Sequence, residues 1–313
     1  MPPGLEDLPA PPDSRTGWPW TDAGPVPDPT PAGSSLPRIS IVTPSYNQAA
    51  YLEATIRSVL LQGYPELEYI VIDGGSTDSS VEILRKYEPW LAYWTSEPDR
   101  GQSDAVNKGF ARATGEIYAW LNSDDVHEPG ALAEVGRYFV RTPDCRILYG
   151  RGSYIDEEGR KTGSCDWIRP FDRRLFLTSN FILQPAAFWR ADLWAEVGAL
   201  DVDCHWTMDW DWLLRATAVT RPHFLPVELA SWRIGPEIKT RSGGERRRAE
   251  IAAVSKRHGG RLQPTYLVYQ LDRALWRVSE HLGDGLVFRL VRGLATPIRW
   301  LLKDKLWRRR YQA

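Results

Sequence analysis

The sequence predicts an α/β fold, a mainly parallel sheet with helices on both faces. From Arg38 onward, short β-branched runs alternate with amphipathic helical stretches, and the loops between them are small. Polar clusters also recur where the strands should end, the edge at which open α/β sheets bind their ligands.

The elements follow in order. "RISIVTPSYN" opens with Ile39, Ile41 and Val42, a buried-strand run stopped by Pro44. "AAYLEATIRSVLLQGYP" sets Leu52, Ile56, Val59 and Leu60 at helical spacing and stops at Gly63 and Pro65. Tyr69 to Ile72 form the next strand, which ends on Asp73 and a glycine-rich turn. "SVEILRKY" reads as a helix, "LAYWTSE" as a strand, "SDAVNKGFARA" as a helix and "EIYAWLNSDD" as a strand. Beyond Glu128, "ALAEVGRYFV" predicts a helix, "RILYG" a strand and "SYIDEEGR" a hairpin. Short helices are expected in "PFDRRLFL" and "ADLWAEVG", a longer one in "MDWDWLLRATAV" and a closing strand in "LASWRI".

The ends differ from the middle. The first 37 residues carry 11 of the 24 prolines with little apolar periodicity, and read as a disordered tail. From Val287 onward eight Lys or Arg stand against one acid, Asp304, among Leu, Val, Ile and Trp. Residues 241–313 therefore read as a basic amphipathic helical region, either packed on the domain or lying on an anionic membrane surface. A formal net charge of -1 gives no global attraction for nucleic acid. Cys145, Cys165 and Cys204 are odd in number and far apart, which argues against a disulfide framework and for a reducing cytoplasm. No stretch reaches the roughly 20 apolar residues of a membrane span, and the start shows no apolar signal core. The expected location is the cytoplasm, including the inner face of its membrane.

Four stretches carry the chemistry. Asp73 follows an apolar strand and precedes two glycines, so it either reads a base or ribose hydroxyl, or closes a "DGGSTD" turn on local backbone. In "SEPDRGQSDAVNKG", Asp104 and Lys108 share a helix face, which suits a nucleotide contact beside its phosphates as well as a plain ion pair. "NSDD" puts Asp124 and Asp125 after "IYAWL", where one carboxylate plus substrate phosphates would suit a hard divalent cation and the other would cap the next helix. "MDWDWLLR" holds Asp209 and Asp211, two apart on a helix and so on different faces. Both are helix-N-terminal acids that the macrodipole favours, and one of them could serve as a base pointing into a cleft.

Taken together, "IVTPSYNQAAYLEATIRSVLLQGYPELEYIVIDGGSTDSS", "DRGQSDAVNKGFARATGEIYAWLNSDD" and "MDWDWLLR" resemble family 2 glycosyltransferases of the GT-A fold. The resemblance runs in order from Arg38 to Thr240, roughly two thirds of the chain. It implies a Rossmann-like sheet whose nucleotide-sugar half is 38–126 and whose acceptor half is 127–240. It also implies an inverting transfer from a nucleotide-diphospho-sugar to a hydroxyl of a saccharide or lipid-linked acceptor. Thr43, Pro44, Tyr46 and Asn47 match the first nucleotide-contacting loop, Asp73 the acid that reads the base, and Asp104 the second contacting segment, with Lys108 near the phosphates. Asn122, Ser123 and Asp124 occupy the metal-binding Asp-x-Asp motif, which makes Asp124 the ligand of Mn2+ or Mg2+ and gives Asn122 a neutral contact at the ribose. Asp125 faces the acceptor or caps a helix, and Asp209 is the general base.

Three positions depart from the family pattern: Asn122 for Asp, Met208 for Glu, and Gly235 for a frequent His in "RIGPEIKT", where Arg233, Lys239 and Thr240 match. They keep two alternatives open, a sugar-nucleotide-binding module without catalysis and a nucleotidyltransferase. The second would be expected to show a Gly-rich phosphate loop near the first strand, which "TPSYNQ" lacks.

Overall fold

A computed structural model describes residues 2–12, 14–24, 35–235, 239, 243–259, 266–267 and 270–271. They form two compact units, and each is described by itself. The larger holds residues 1–171, 181–203 and 215–235, and the smaller 172–180, 204–214 and 236–313.

The larger unit contains one sheet of nine strands. β1 (Ile39–Ser45), β2 (Leu67–Asp73), β3 (Tyr93–Ser96) and β4 (Ile117–Trp120) form a parallel block in the order β3-β2-β1-β4. The sheet continues through β8 (Ala187–Arg190), β6 (Ile147–Ile155), β9 (His223–Arg233) and β5 (Val126–His127), while β7 (Lys161–Ser164) hairpins onto β6. Pairing in this second block is mostly antiparallel, with β6 and β9 parallel. The boundary expected at 126/127 thus falls inside one continuous sheet.

β1 is buried at every position, as a strand with neighbours on both sides must be. It runs through Pro44 rather than stopping there. The N–H of Ile39 bonds Glu66 on the β2 side, so by alternation the ring nitrogen of Pro44 faces the β4 side. Pairing with β4 has ended by then, at Val42 with Trp120, and no ladder bond is lost.

Helices α1 (Ala49–Leu60), α2 (Ser80–Tyr87) and α3 (Gln102–Phe110) connect the parallel strands. α3 lies so close to β1 that a Cβ on Gly109 would overlap Cγ1 of Val42. α4 (Ala131–Arg141) carries an apolar stripe of Leu132, Val135 and Phe139 into the core. α6 (Ala191–Val197) follows β8.

Residues 2–12 and 14–24 correct the expectation of a disordered tail. Arg57 of α1 is wholly buried, and its guanidinium donates to the carbonyls of Pro9, Pro19 and Trp20 and to the Tyr87 hydroxyl. Trp20 and Leu8 are buried, and Trp18 donates its indole N–H to the His127 carbonyl at 2.9 Å. The segment has no side-chain periodicity because its backbone carbonyls, more than its side chains, are what the domain grips.

In the smaller unit, α5 (Arg173–Phe176) is capped by Asp172, which accepts from the Leu175 N–H. α7 (Met208–Val219) begins in this unit, and α8 (Gly244–Gly259) packs against its start. Glu250 of α8 accepts from the N–H groups of His205, Trp206 and Thr207. The expected basic C-terminal region coincides with α8 only in part, and its membrane-surface portion lies outside the described residues. Among the described residues no helix is long and apolar enough to cross a membrane.

Candidate active site

The carboxyl ends of the parallel block lie side by side. Ser45 is in register with Asp73, and Asp73 with Ser96. Beyond Trp120 the chain stays on that edge, because the Leu121 N–H donates to the Val42 carbonyl at 2.9 Å. The sheet therefore brings the loop after β1, the Gly-rich turn after β2, the start of α3 and the Asn122–Asp125 turn to one edge.

Asp73 is fully buried, and its carboxylate closes its own turn. Oδ2 accepts from the N–H groups of Gly75 and Ser76 and from the Ser96 hydroxyl, while Oδ1 accepts from the Ser76 hydroxyl. Asn47, with φ of 51°, takes the left-handed conformation that Asn tolerates better than most residues. Its Oδ1 accepts from the Thr77 N–H and its own N–H donates to Ser76, so it ties the first loop to the second. Thr43 and Pro44 are buried, and the Thr43 hydroxyl pairs with that of Tyr69 at 3.0 Å. Tyr46 is 60% exposed and offers its ring at the same edge. Ser45 was not singled out from the sequence. It is buried with a hydroxyl that has no partner among the described residues, next to Asp73 in the ladder.

Asp104 stands in the first turn of α3 and accepts from the Arg100 N–H at 3.1 Å and its guanidinium at 3.2 Å. Lys108 lies 3.5 Å from Asp104 and 3.6 Å from Glu97. Burial opposes ionisation of Asp104, but these donors and cations outweigh it and hold the carboxyl below the usual range. Asp99 shifts the other way, raised by burial and by the nearby charges of Asp104 and Asp73. Its carboxylate lies over Gly74, where a Cβ would come 2.8 Å from Oδ2. Three acids thus gather around the second strand end.

The Asn122–Asp125 turn buries its two acids unequally and ties Asp125 into the domain. Asp125 is 1% exposed; Oδ1 accepts from the Arg233 N–H at 3.0 Å and Oδ2 from the Asn122 amide at 3.3 Å. Burial, then the charge of Asp124, push its carboxyl well above the usual range. It neither faces an acceptor nor caps α4, whose N-cap is Gly130 in the left-handed conformation. Asn122 is held by its neighbours. Its Oδ1 accepts from Gln102 at 2.6 Å and its amide donates to Asp125 and to Gln184. Gln184 in turn donates to the Trp120 carbonyl at 2.7 Å. The neutral amide suits this position because a carboxylate there would stand against buried Asp125. Neither Gln102 nor Gln184 carried a signal in the sequence; both act through pairing with Asn122.

Asp124 is half-buried, Ser123 is buried beside it, and the Asp124 carbonyl accepts from Nε of Arg233 at 2.8 Å. Among the described residues no group of three or more His, Cys, Asp or Glu could enclose a metal by itself. One carboxylate completed by substrate phosphates and water is the donor set that Mg2+ and Mn2+ take, and Asp124 fits it. At Gly235 a Cβ would meet Glu157 at 3.1 Å, so the His frequent at this place in relatives would crowd that side chain.

In the smaller unit, Asp209 is half-buried and accepts from the Asn180 amide at 2.9 Å. Burial raises its carboxyl above the usual range. Asp211 is buried and accepts from Arg257 at 3.0 Å and His258 at 2.9 Å, so it anchors α8. The two acids face different partners, as their spacing predicts.

Residues 40–190 match the family model described as glycosyl transferase family 2. An uncharacterized glycosyltransferase of Mycobacterium tuberculosis is 36% identical over 195 residues, 60% of this chain and 72% of its own. Among solved structures, S. aureus TarS 1-349 in complex with UDP-GlcNAc aligns with a TM-score of 0.58 and 17% identity, covering 85% of this chain and 81% of that one. This chain spans 46% of the longer TarS chain. Mannosyltransferase PcManGT from Pyrobaculum calidifontis, in complex with GDP-Man and Mn2+, aligns with a TM-score of 0.57 and 20% identity, covering 91% and 84%. These likenesses give the sheet its class, the GT-A fold, and with the sequence matches they lead to one conclusion: the chain belongs to glycosyltransferase family 2.

Proposed function

We propose that this chain moves a sugar from a nucleotide-diphospho-sugar to an acceptor hydroxyl, with inversion at the anomeric carbon. The observation that carries the reading is the shared strand-end edge, where Ser45, Asp73 and Ser96 stand in register and the Asn122–Asp125 turn follows β4 on the same side. Asp99 and Asp104 supply acceptors for base N–H and ribose hydroxyls, Tyr46 supplies a stacking face, and Lys108 a cation for phosphate. The UDP-GlcNAc and GDP-Man named for the structural neighbours support a donor of this class. Asp124 is the residue that holds Mn2+ or Mg2+, and such an ion, when bound, neutralises charge on a departing diphosphate.

Asp209 is the candidate general base. Its raised pKa makes it a better proton acceptor near neutrality than an ordinary Asp, and the Asn180 amide fixes its orientation. The acceptor is a saccharide or a lipid-linked saccharide of cell-surface polysaccharide or glycolipid synthesis.

The test is hydrolysis and transfer with a panel of UDP-, GDP- and dTDP-sugars, with and without Mn2+ or Mg2+. Turnover of at least one donor, abolished by chelation, is the expected result. Asp124→Asn should lower it by more than the ~10–100-fold that loss of an outer-shell partner costs. Asp209→Asn should keep donor binding and lose transfer. Donor binding by calorimetry without any turnover would instead mark a silent binding module, and pyrophosphate release from a nucleoside triphosphate would mark a nucleotidyltransferase.

A further inference from the structure

A cavity of about 270 Å³ lies between the N-terminal segment and the domain, at the lower edge of the ~300–1,000 Å³ range of small-molecule sites. It shares a wall with the Asp124 turn. That wall is Arg233, 3% exposed, whose Nε holds the Asp124 carbonyl and whose N–H holds Asp125. Its guanidinium also lies 4.7 Å over the ring of Tyr51, which lines the same cavity.

The cavity is built rather than accidental. Its outer wall, Arg15 to Trp20, belongs to the segment held by three of the four hydrogen bonds of buried Arg57. Trp20 packs with Ala54, Val126 and Ile155 as an apolar patch. The polar part sets Ser231 against Glu128 and Lys161 against Glu128 at 2.9 Å, while Arg15 leans on the Glu158 carbonyl.

The charges decide the class of occupant. Three cations (Arg15, Lys161, Arg233) face three carboxylates (Glu128, Glu157, Glu158), so the lining has no net attraction for phosphate. An aliphatic chain would strip water from Glu128 and the charged rim without replacing its hydrogen bonds. A neutral ring with an apolar face and a girdle of hydroxyls meets both halves of the lining. We propose that this cavity is a subsite for one pyranose unit of a saccharide acceptor, with Trp18 and Arg15 in its outer wall. The proposal rests on the glycosyltransferase reading above.

Saturation-transfer NMR on the full chain with the methyl glycosides of glucose, galactose, mannose and rhamnose tests it, with donor hydrolysis measured on the same samples. Binding of at least one glycoside is expected, unchanged by inorganic phosphate and retained in Asp124→Asn. Trp18→Ala and, separately, Arg15→Glu should each weaken it about tenfold while leaving donor hydrolysis in place. Among the described residues the Arg15 guanidinium meets the Glu158 carbonyl and the Trp20 ring, so its replacement keeps the test open if Trp18→Ala fails to fold. Absence of any glycoside signal, displacement by phosphate, or equal binding in both variants overturns the subsite. Donor hydrolysis without glycoside binding sinks the subsite alone. Glycoside binding lost in both variants, with no donor turned over, keeps the subsite and sinks the enzyme reading.

Discussion

At the scale of single residues, Asn122 shows how a departure from a family pattern can be settled by its neighbours. Its amide donates to buried Asp125 and to Gln184. Asn122→Asp would restore the family's acid, yet it removes both donations and sets a like charge against Asp125. A loss of about 3 kcal/mol in urea unfolding is expected, since buried polar groups left unpaired cost ~1–3 kcal/mol each and charged ones more. The loss should shrink as the pH falls and the pair takes up a proton. Equal stability at neutral pH would refute the account. His127 gives a second readout. It is wholly buried, 5.6 Å from the Phe188 ring, and burial pushes its imidazole down to about 4. The unfolded chain, at about 6.5, therefore takes up its proton first as the pH falls. Stability is full above about pH 6.5 and is lost on the way down to about pH 4. Close to 2 kcal/mol should go between about pH 7 and about pH 5. His127→Phe should flatten that slope in unfolding curves at the two pH values. Position along the chain was enough to place Asp73, Asp104 and Asp124 at one sheet edge, because each follows a readable strand or opens a readable helix. It was not enough to assign Asn122 or Asp125, since Gln102, Gln184 and Arg233 reach them only through the fold.

At the scale of elements, the packing of α3 on β1 joins stability to the donor edge. Gly109 leaves no room for a side chain against Val42, while the first turn of the same helix carries Asp104. Gly109→Ala should overpack this contact at a cost of ~1–3 kcal/mol, lower the melting temperature and weaken nucleotide binding by displacing Asp104. Adding Val42→Ala should recover part of both. A drop in stability with nucleotide affinity unchanged would separate the helix from the site. The alternation of β1 to β4 with α1 to α3 was legible because each element bears its own periodicity and turn residues. β5, of two residues, and β8, "AFWR" after Pro185, were not. Such short strands have no pattern to display; their partners define them. The hairpin at "SYIDEEGR" was visible through its turn, whereas the boundary expected at 126/127 was not a boundary, because β5 returns to the same sheet beside β9.

At the scale of the whole molecule, a near-neutral total hides an uneven distribution. The chain totals a net charge of -1, while the stretch from Val287 onward gathers eight basic residues. Each Lys or Arg near an anionic bilayer contributes ~1 kcal/mol, an attraction that salt screens. The full chain should sediment with vesicles containing phosphatidylserine or phosphatidylglycerol at low salt and be released at high salt. A chain ending at residue 261 should stay in the supernatant in both. Sedimentation of both chains alike would assign the basic region to another task. The N-terminal stretch had misled for a related reason, as composition says how much apolar surface a segment offers but nothing about a partner that seeks its carbonyls. Arg57 is that partner, and it changes what counts as a module. The family match begins at residue 40, yet cutting there would strip the Arg57 guanidinium of three of its four acceptors and of the Trp20 ring beside it. The unit that folds is longer than the unit that is recognised, and its first prolines are hardware of the domain rather than packaging around it.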